Sequence, residues 1–375
     1  MNYSSKGHEL WHTPDGVRDI YGSELELRQK TLEKLKKDLF LFGYDEILVP
    51  SIEFFDVFSG ETGTIPSREL YKFFDRDNNT LVLRPDFTPS VARCVAKYYT
   101  DITDPIRICY NGSAFVNRSS LLGLPREVFE LGAEFFNDGS AYADAEMIAL
   151  LVTQLKNAGL ERFEISVGNA EYFRGLCEEA GLDNSEELSL RELLSGKNYY
   201  AAESFLKELG FDKTKRDPFM RISSILQNEE ELEKVLGETE SERCRSALSR
   251  LIEVSRILKA YEADSYVSFD LSLLSRYGYY TGIIFKGYTY GVGDAIASGG
   301  RYDLLLSHFG KNSPAVGYMI QMDLLLEALS RQAGAEDKAP AGNISYFTDE
   351  DFASKLKEAG ERRAAGERTI LQWKH

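Results

Sequence analysis

Residues 313–329 read SPAVGYMIQMDLLLEAL: a Pro and a Gly lead into an apolar run that contains no Lys or Arg. The stretch predicts an apolar helix lining a deep pocket. A pocket wall without a cation has nothing to hold an anion, which restricts what such a pocket can bind.

At 375 residues the chain is long enough for two domains or one large domain with an appendage. Sixty acidic against 44 basic side chains give a net charge of −16, which argues against a uniformly basic nucleic-acid surface. Cys94, Cys109, Cys177 and Cys244 are far apart and form no CxxC pair, so buried free thiols are expected rather than a zinc site or a disulfide framework. His8, His12, His308 and His375 are equally scattered and suggest neither a metal site nor a triad. No cofactor is expected. The opening residues lack a basic and an apolar signal region, and no apolar run reaches bilayer length, so a cytoplasmic chain without membrane association is expected.

Between Gly22 and Leu41, apolar residues recur at helical spacing with Lys34, Lys36 and Lys37 on the opposite face. YDEILVPSIEFF reads as a strand interrupted at Pro50, a residue that cannot donate to a sheet ladder. Two strand-like runs about an Asp-Asn-Asn turn follow, then a helix beginning near Thr88 with Pro89 in its first turn. IRICYNGSAFVN and EVFELGAEFFN read as paired antiparallel strands, and AYADAEMIALLVTQLKNAGL as a long helix stopped by a Gly. Residues 170–262 are helical in pattern, and strand signals return in VSFDLSLLS, YYTGIIFKGY and AIASGG. Strands, a helical block and strands again predict an α+β fold with an antiparallel sheet and a helical insertion at about 170–262. Residues 331–342 have linker composition, and 343–375 read as a strand, helix and strand too short to be self-sufficient.

HTPDGVRDIYG, LVLRPDFTPSVAR, PREVFELGAEFF, YYTGIIFKGY, ASGGRYDLLLSHFG and PAVGYMIQMDLLLEAL occur in this order across residues 12–329. Together they resemble the catalytic domain of histidyl-tRNA synthetase, a class II aminoacyl-tRNA synthetase. The resemblance implies a synthetase-like core over residues 1–330 and a tail, 343–375, similar to the start of an anticodon-binding domain. Adenylate formation needs cations aimed at phosphate. Where the family places them, this chain has Val116, Ser275 and Leu324, with Gln321 and Asp323 beside the last. That pattern implies no adenylation and no catalytic residues.

The amino-acid end of the family's pocket is matched instead. Asp86, Thr88 and Glu130 stand where the family holds the α-ammonium of histidine, and Glu134, Tyr280 and Tyr302 where it holds the imidazole. Tyr279 and Arg126 complete the implied histidine-binding set, Arg118 or Arg126 being the candidates to replace the cation missing at 116. Taken singly, Tyr280 and Tyr302 read as core aromatics and Glu134 as half of an ion pair; their joint placement points to a pocket. Asp86 is one methylene shorter than the family's Glu, Glu130 stands for a Gln, and Phe87 for a small residue beside the pocket.

Without those arginines and a full anticodon-binding domain, the chain is similar to the regulatory subunits of ATP phosphoribosyltransferase. This implies a non-enzymatic partner that activates a short-form catalytic subunit at the first step of histidine biosynthesis and takes part in feedback inhibition by histidine. It implies a homodimer within a hetero-oligomer, a hetero-octamer by the same resemblance, and no nucleic-acid partner. An active histidyl-tRNA synthetase and a stand-alone histidine sensor are the alternative readings.

Overall fold

The computed structural model describes residues 11–59, 65–119, 124–274, 279–332 and 343–374; Ser275 and most of the 331–342 linker lie outside them. Helix α1 (Gly22–Leu41) buries Thr31, Leu35, Asp38 and Leu39, a stripe at three- and four-residue spacing. Gly43, at φ +82°, then turns the chain into β1 (Asp45–Glu46). Pro50 separates β1 from β2 (Ile52–Phe54), and the two strands enter different sheets. Because Pro50 has no N–H to continue a ladder, the interrupted strand becomes the corner between the sheets.

Strand β2 belongs to a small sheet of order β2-β4-β3 with β3 (Lys72–Phe74) and β4 (Thr80–Leu83). Helix α2 (Thr88–Tyr98) follows. Its C-terminal end is closed by Lys311, whose buried ammonium donates to the carbonyls of Tyr99 at 2.9 Å, Thr100 at 3.1 Å and Ile102 at 2.8 Å. The ammonium gathers three carbonyls just beyond the last turn of α2, where the negative end of the helix dipole favours a cation.

The main sheet is assembled from β5 (Ile106–Phe115), β6 (Glu127–Phe136), β7 (Phe163–Asn169), β8 (Ile225–Leu226), β9 (Val267–Asp270), β10 (Ile283–Thr289), β11 (Ala297–Arg301) and β12 (Ala315–Gln321) together with β1. Its order is β1-β5-β6-β12-β11-β10-β7-β9-β8. The expected antiparallel pairing holds from β5 through β7, while β1 joins β5 and β9 joins β7 in parallel, so the sheet as a whole is mixed. Helix α3 (Ala141–Ala158) packs against β6 and β12; Ser140 caps its start, and Gly159 at φ +107° ends it. The helical insertion comprises α4 (Ala170–Ala180), α5 (Asn184–Ser195), α6 (Tyr199–Glu208), α7 (Lys213–Arg221), α8 (Glu229–Gly237) and α9 (Glu242–Ala260).

The stretch 313–329 is not one helix. Its first half is β12, and only from Met322 does helix α10 (Met322–Gln332) begin. Ala315, Val316, Gly317, Tyr318 and Ile320 are all buried, so no polar face marks a period in the sequence. Pairing with β6 on one side and β11 on the other then decides for a strand.

The described chain forms two compact units. The larger holds the main sheet; the smaller joins Ile20–Leu27, the first turns of α1, to the C-terminal segment. In that segment β13 (Asn343–Phe347) and β14 (Thr369–Trp373) pair in parallel, and helix α11 (Phe352–Ala364) connects them. Phe347 packs on Phe352 at 4.9 Å, and Arg363 donates to the Thr369 carbonyl.

One buried charge ties the insertion to the sheet. Asp144 on α3 is fully buried and accepts from Arg301 Nε of β11 at 2.8 Å and from Arg250 Nε of α9 at 2.7 Å. Removing the carboxylate would take from Arg301, only 4% exposed, the buried one of its two carboxylate partners, leaving Asp303. We expect Asp144→Ala to cost about 3–5 kcal/mol, read as a lowered urea midpoint with an unchanged slope.

Candidate functional site

Alternation along β6 puts Glu130, Gly132 and Glu134 on one face of the sheet. The register across neighbouring strands sets what lies beside them. Glu134 pairs with Gly317 of β12, and Gly317 with Gly300 of β11. A Cβ on Gly317 would lie 1.5 Å from Glu134 Oε2, and one on Gly300 would come within 2.7 Å of the Tyr280 ring. Two glycines in one cross-strand row thus make room for a carboxylate and a tyrosine. Gly132 does the same for Tyr110, whose ring would stand 2.3 Å from an added Cβ.

Above this row is a cavity enclosing about 140 Å³, close to the ~150 Å³ that accommodates a benzene-sized guest in an engineered core. It brings together Asp86, Thr88, Glu130, Glu134, Tyr279, Tyr280 and Tyr302, seven of the eight residues expected from the sequence. Arg126 is outside the lining; its Nε donates to the carbonyl of Arg118 at 3.0 Å, and Arg118 lines the cavity instead. Phe87 is also off the lining. It is buried between the Tyr110 ring, stacked at 4.5 Å, and the Arg84 guanidinium, 3.9 Å from its centroid.

Glu134 is the best-connected group in the site. Its Oε1 accepts from the Thr88 hydroxyl at 2.8 Å and the Tyr110 hydroxyl at 3.3 Å, and its Oε2 accepts from the Tyr302 hydroxyl. Tyr110 is a partner the sequence did not single out; it is one of 21 tyrosines and reaches Glu134 through the β5–β6 register. Tyr279 lies 4.1 Å from Tyr280 and 6.1 Å from Tyr302, ring to ring, so the imidazole end has an aromatic wall. At the start of α2, Asp86 Oδ1 accepts from the Thr88 backbone N–H at 3.0 Å, which fixes both near the mouth of the helix.

Charge is lopsided here. Burial pushes the Glu134 carboxyl from 4.5 up to about 8, against the three hydroxyls that stabilise its anion, with Asp86 adding to the rise. Burial and then Asp86 push Glu130 well above the carboxylate range, opposed by Arg84 and Arg118. Val116 and Gln321 also line the cavity, and Arg118 is the one cation among the described lining residues. Asp323 faces Arg18 at 3.6 Å and Arg28 at 3.7 Å. Such a site favours a ligand bearing an ammonium and a ring N–H, and disfavours phosphate.

A stability test follows from the raised carboxyl. Between about pH 4.5 and 8 the folded chain keeps a proton on Glu134 that the unfolded chain has released, so this group makes stability fall as pH rises. The slope reaches at most ~1.4 kcal/mol per pH unit for one proton. Glu134→Gln is expected to flatten that part of the stability–pH curve measured by urea unfolding.

Comparison with known proteins agrees with the fold. Residues 16–325 match the model of the histidyl-tRNA synthetase family. A protein of Acetivibrio thermocellus named ATP phosphoribosyltransferase regulatory subunit is 35% identical over 339 residues, 90% of this chain and 81% of its own. One of the same name from Clostridium kluyveri is 34% identical over 95% of this chain and 91% of its own. A solved structure of a Bacillus halodurans protein, described as an ATP phosphoribosyltransferase regulatory subunit/histidyl-tRNA synthetase, superposes with a TM-score of 0.87 at 32% identity, covering 97% of this chain and 93% of that one. Histidyl-tRNA synthetase from Nostoc shares the fold at a TM-score of 0.82 and 20% identity, over 97% of this chain and 86% of its own. The chain belongs to the family of ATP phosphoribosyltransferase regulatory subunits, built on the histidyl-tRNA synthetase core.

Proposed function

We propose that this chain is a non-catalytic subunit that activates a short-form ATP phosphoribosyltransferase catalytic subunit and carries feedback inhibition by histidine, bound in the cavity over β6 and β12. The observation that supports this reading is the cavity itself, with three carboxylates and one arginine among its described lining residues, where a nucleotide site would need several cations. Asp86, Thr88 and Glu130 offer acceptors for the three ammonium protons. Glu134, steadied by three hydroxyls, has a lone pair left for an imidazole N–H, with Tyr280 and Tyr302 beside it. Inhibition then requires that histidine bind the inactive assembly more tightly than the active one.

The decisive assay is phosphoribosyl-ATP formation by the catalytic subunit with and without this chain. The chain is expected to raise the rate, and histidine to lower it. Glu134→Ala removes a charged hydrogen-bond partner worth about 1.5–3 kcal/mol and should raise the inhibition constant about 10- to 150-fold in a complex that still assembles. An unchanged constant would place histidine elsewhere. Histidine-dependent ATP–pyrophosphate exchange would support the synthetase alternative; no such exchange is expected.

The same reading includes a homodimer built on α1 and the corner at Pro50. Phe40, Leu41, Leu48 and Phe54 are exposed on that segment, Leu48 to 89%, and large apolar side chains left in water gain by association. Sedimentation is expected to give a dimer at micromolar concentration, and Leu48→Asp to shift it towards monomer.

A further inference from the structure

Histidine has an ammonium, an imidazole and a carboxylate, and only the first two are met by the groups discussed so far. A ligand carboxylate placed beside Asp86, and beside Glu130 and Glu134 once the ligand's ammonium has favoured their ionised forms, is repelled unless a cation answers it, and like charges a few ångströms apart are costly where water is excluded. Arg118 is the one cation among the described lining residues. Arg118 is half-buried, and its side chain makes no hydrogen bond or ion pair among the described residues. Its charge is felt at Glu130, which places it at the ammonium end of the cavity, where an amino acid's carboxylate must also lie.

The backbone that presents Arg118 is held on both sides. Its N–H donates to the Val116 carbonyl at 2.9 Å, and its own carbonyl accepts from Arg126 Nε at 3.0 Å. Arg126 is anchored in turn: its N–H donates to Gly16 O at 2.8 Å and its carbonyl accepts from Val116 N at 2.8 Å. Gly16, at φ +77°, has the Arg126 Cγ only 2.9 Å from where its Cβ would be. Arg126 thus acts as a strut, leaving Arg118 free to face the cavity.

We infer that Arg118 pairs with the α-carboxylate of the bound amino acid and decides that the cavity takes histidine rather than its decarboxylated amine. This rests on the reading of the cavity as a histidine site. Without Arg118, three carboxylates favour histamine, which has the ammonium and the imidazole but no anion. With Arg118, the carboxylate becomes an attraction.

Titration calorimetry of the full chain with histidine and with histamine tests both levels. The unaltered chain is expected to bind histidine more tightly than histamine. Arg118→Gln should weaken histidine about 10- to 100-fold while leaving histamine within about threefold or tighter, so that the preference inverts. Arg118→Lys, which keeps the charge but not the fork, should fall between. Retained histamine binding shows that the variant still folds. Equal weakening of both ligands, or no change in either, would overturn the role of Arg118. If the unaltered chain binds neither, the histidine reading of the cavity falls and takes this inference with it.

Discussion

A carboxylate lying on bare backbone is the constraint from which the pocket follows. Glu134 Oε2 occupies the place that any side chain at 317 would need, and the hydroxyls that hold the carboxylate come from α2, β5 and the residue after β11. Satisfying one buried group therefore sets the register of four adjacent strands. A one-residue slip of β12 would bring Val316 or Tyr318 to the position of Gly317 and drive a side chain into the carboxylate. The neighbouring Gly300 extends the same economy to Tyr280, so the floor of the site is shaped by what two residues lack.

The residues that line the cavity come together from different parts of the frame. Asp86, Thr88, Glu130 and Glu134 are brought together by sheet register and by the start of α2. Val116 and Gln321 belong to the same lining, in which Arg118 is the one cation among the described residues. Arg301, which lies in the SGGRYD stretch, serves the frame: it reaches Asp144 and ties β11 to α3.

Much of this was legible in sequence, and the gaps have physical causes. Period-two alternation in EVFELGAEFF is enough to put Glu130 and Glu134 on one face, and Pro89 marks the start of α2 beside Thr88. The strand–helix–strand of the C-terminal segment was readable from its own apolar pattern. The nature of residues 315–321 was not, since a strand buried on both faces has no polar period to betray it. Tyr110 was invisible for a different reason: its partner is 24 residues away and found only through strand pairing. The same holds for Arg118 and Arg126, eight residues apart and equivalent on paper, of which the fold turns one inward and uses the other as a brace.

The raised carboxyls also change what the composition says about the molecule. A net charge of −16 counts Glu134 as ionised, yet burial pushes its carboxyl up to about 8, so near neutrality the protein by itself is less negative than its formula. A cation entering the cavity reverses this, since a positive charge beside a carboxyl favours the ionised form. Filling the cavity with an ammonium thus expels protons into the medium. The heat of that event then depends on the ionisation enthalpy of the buffer that receives them.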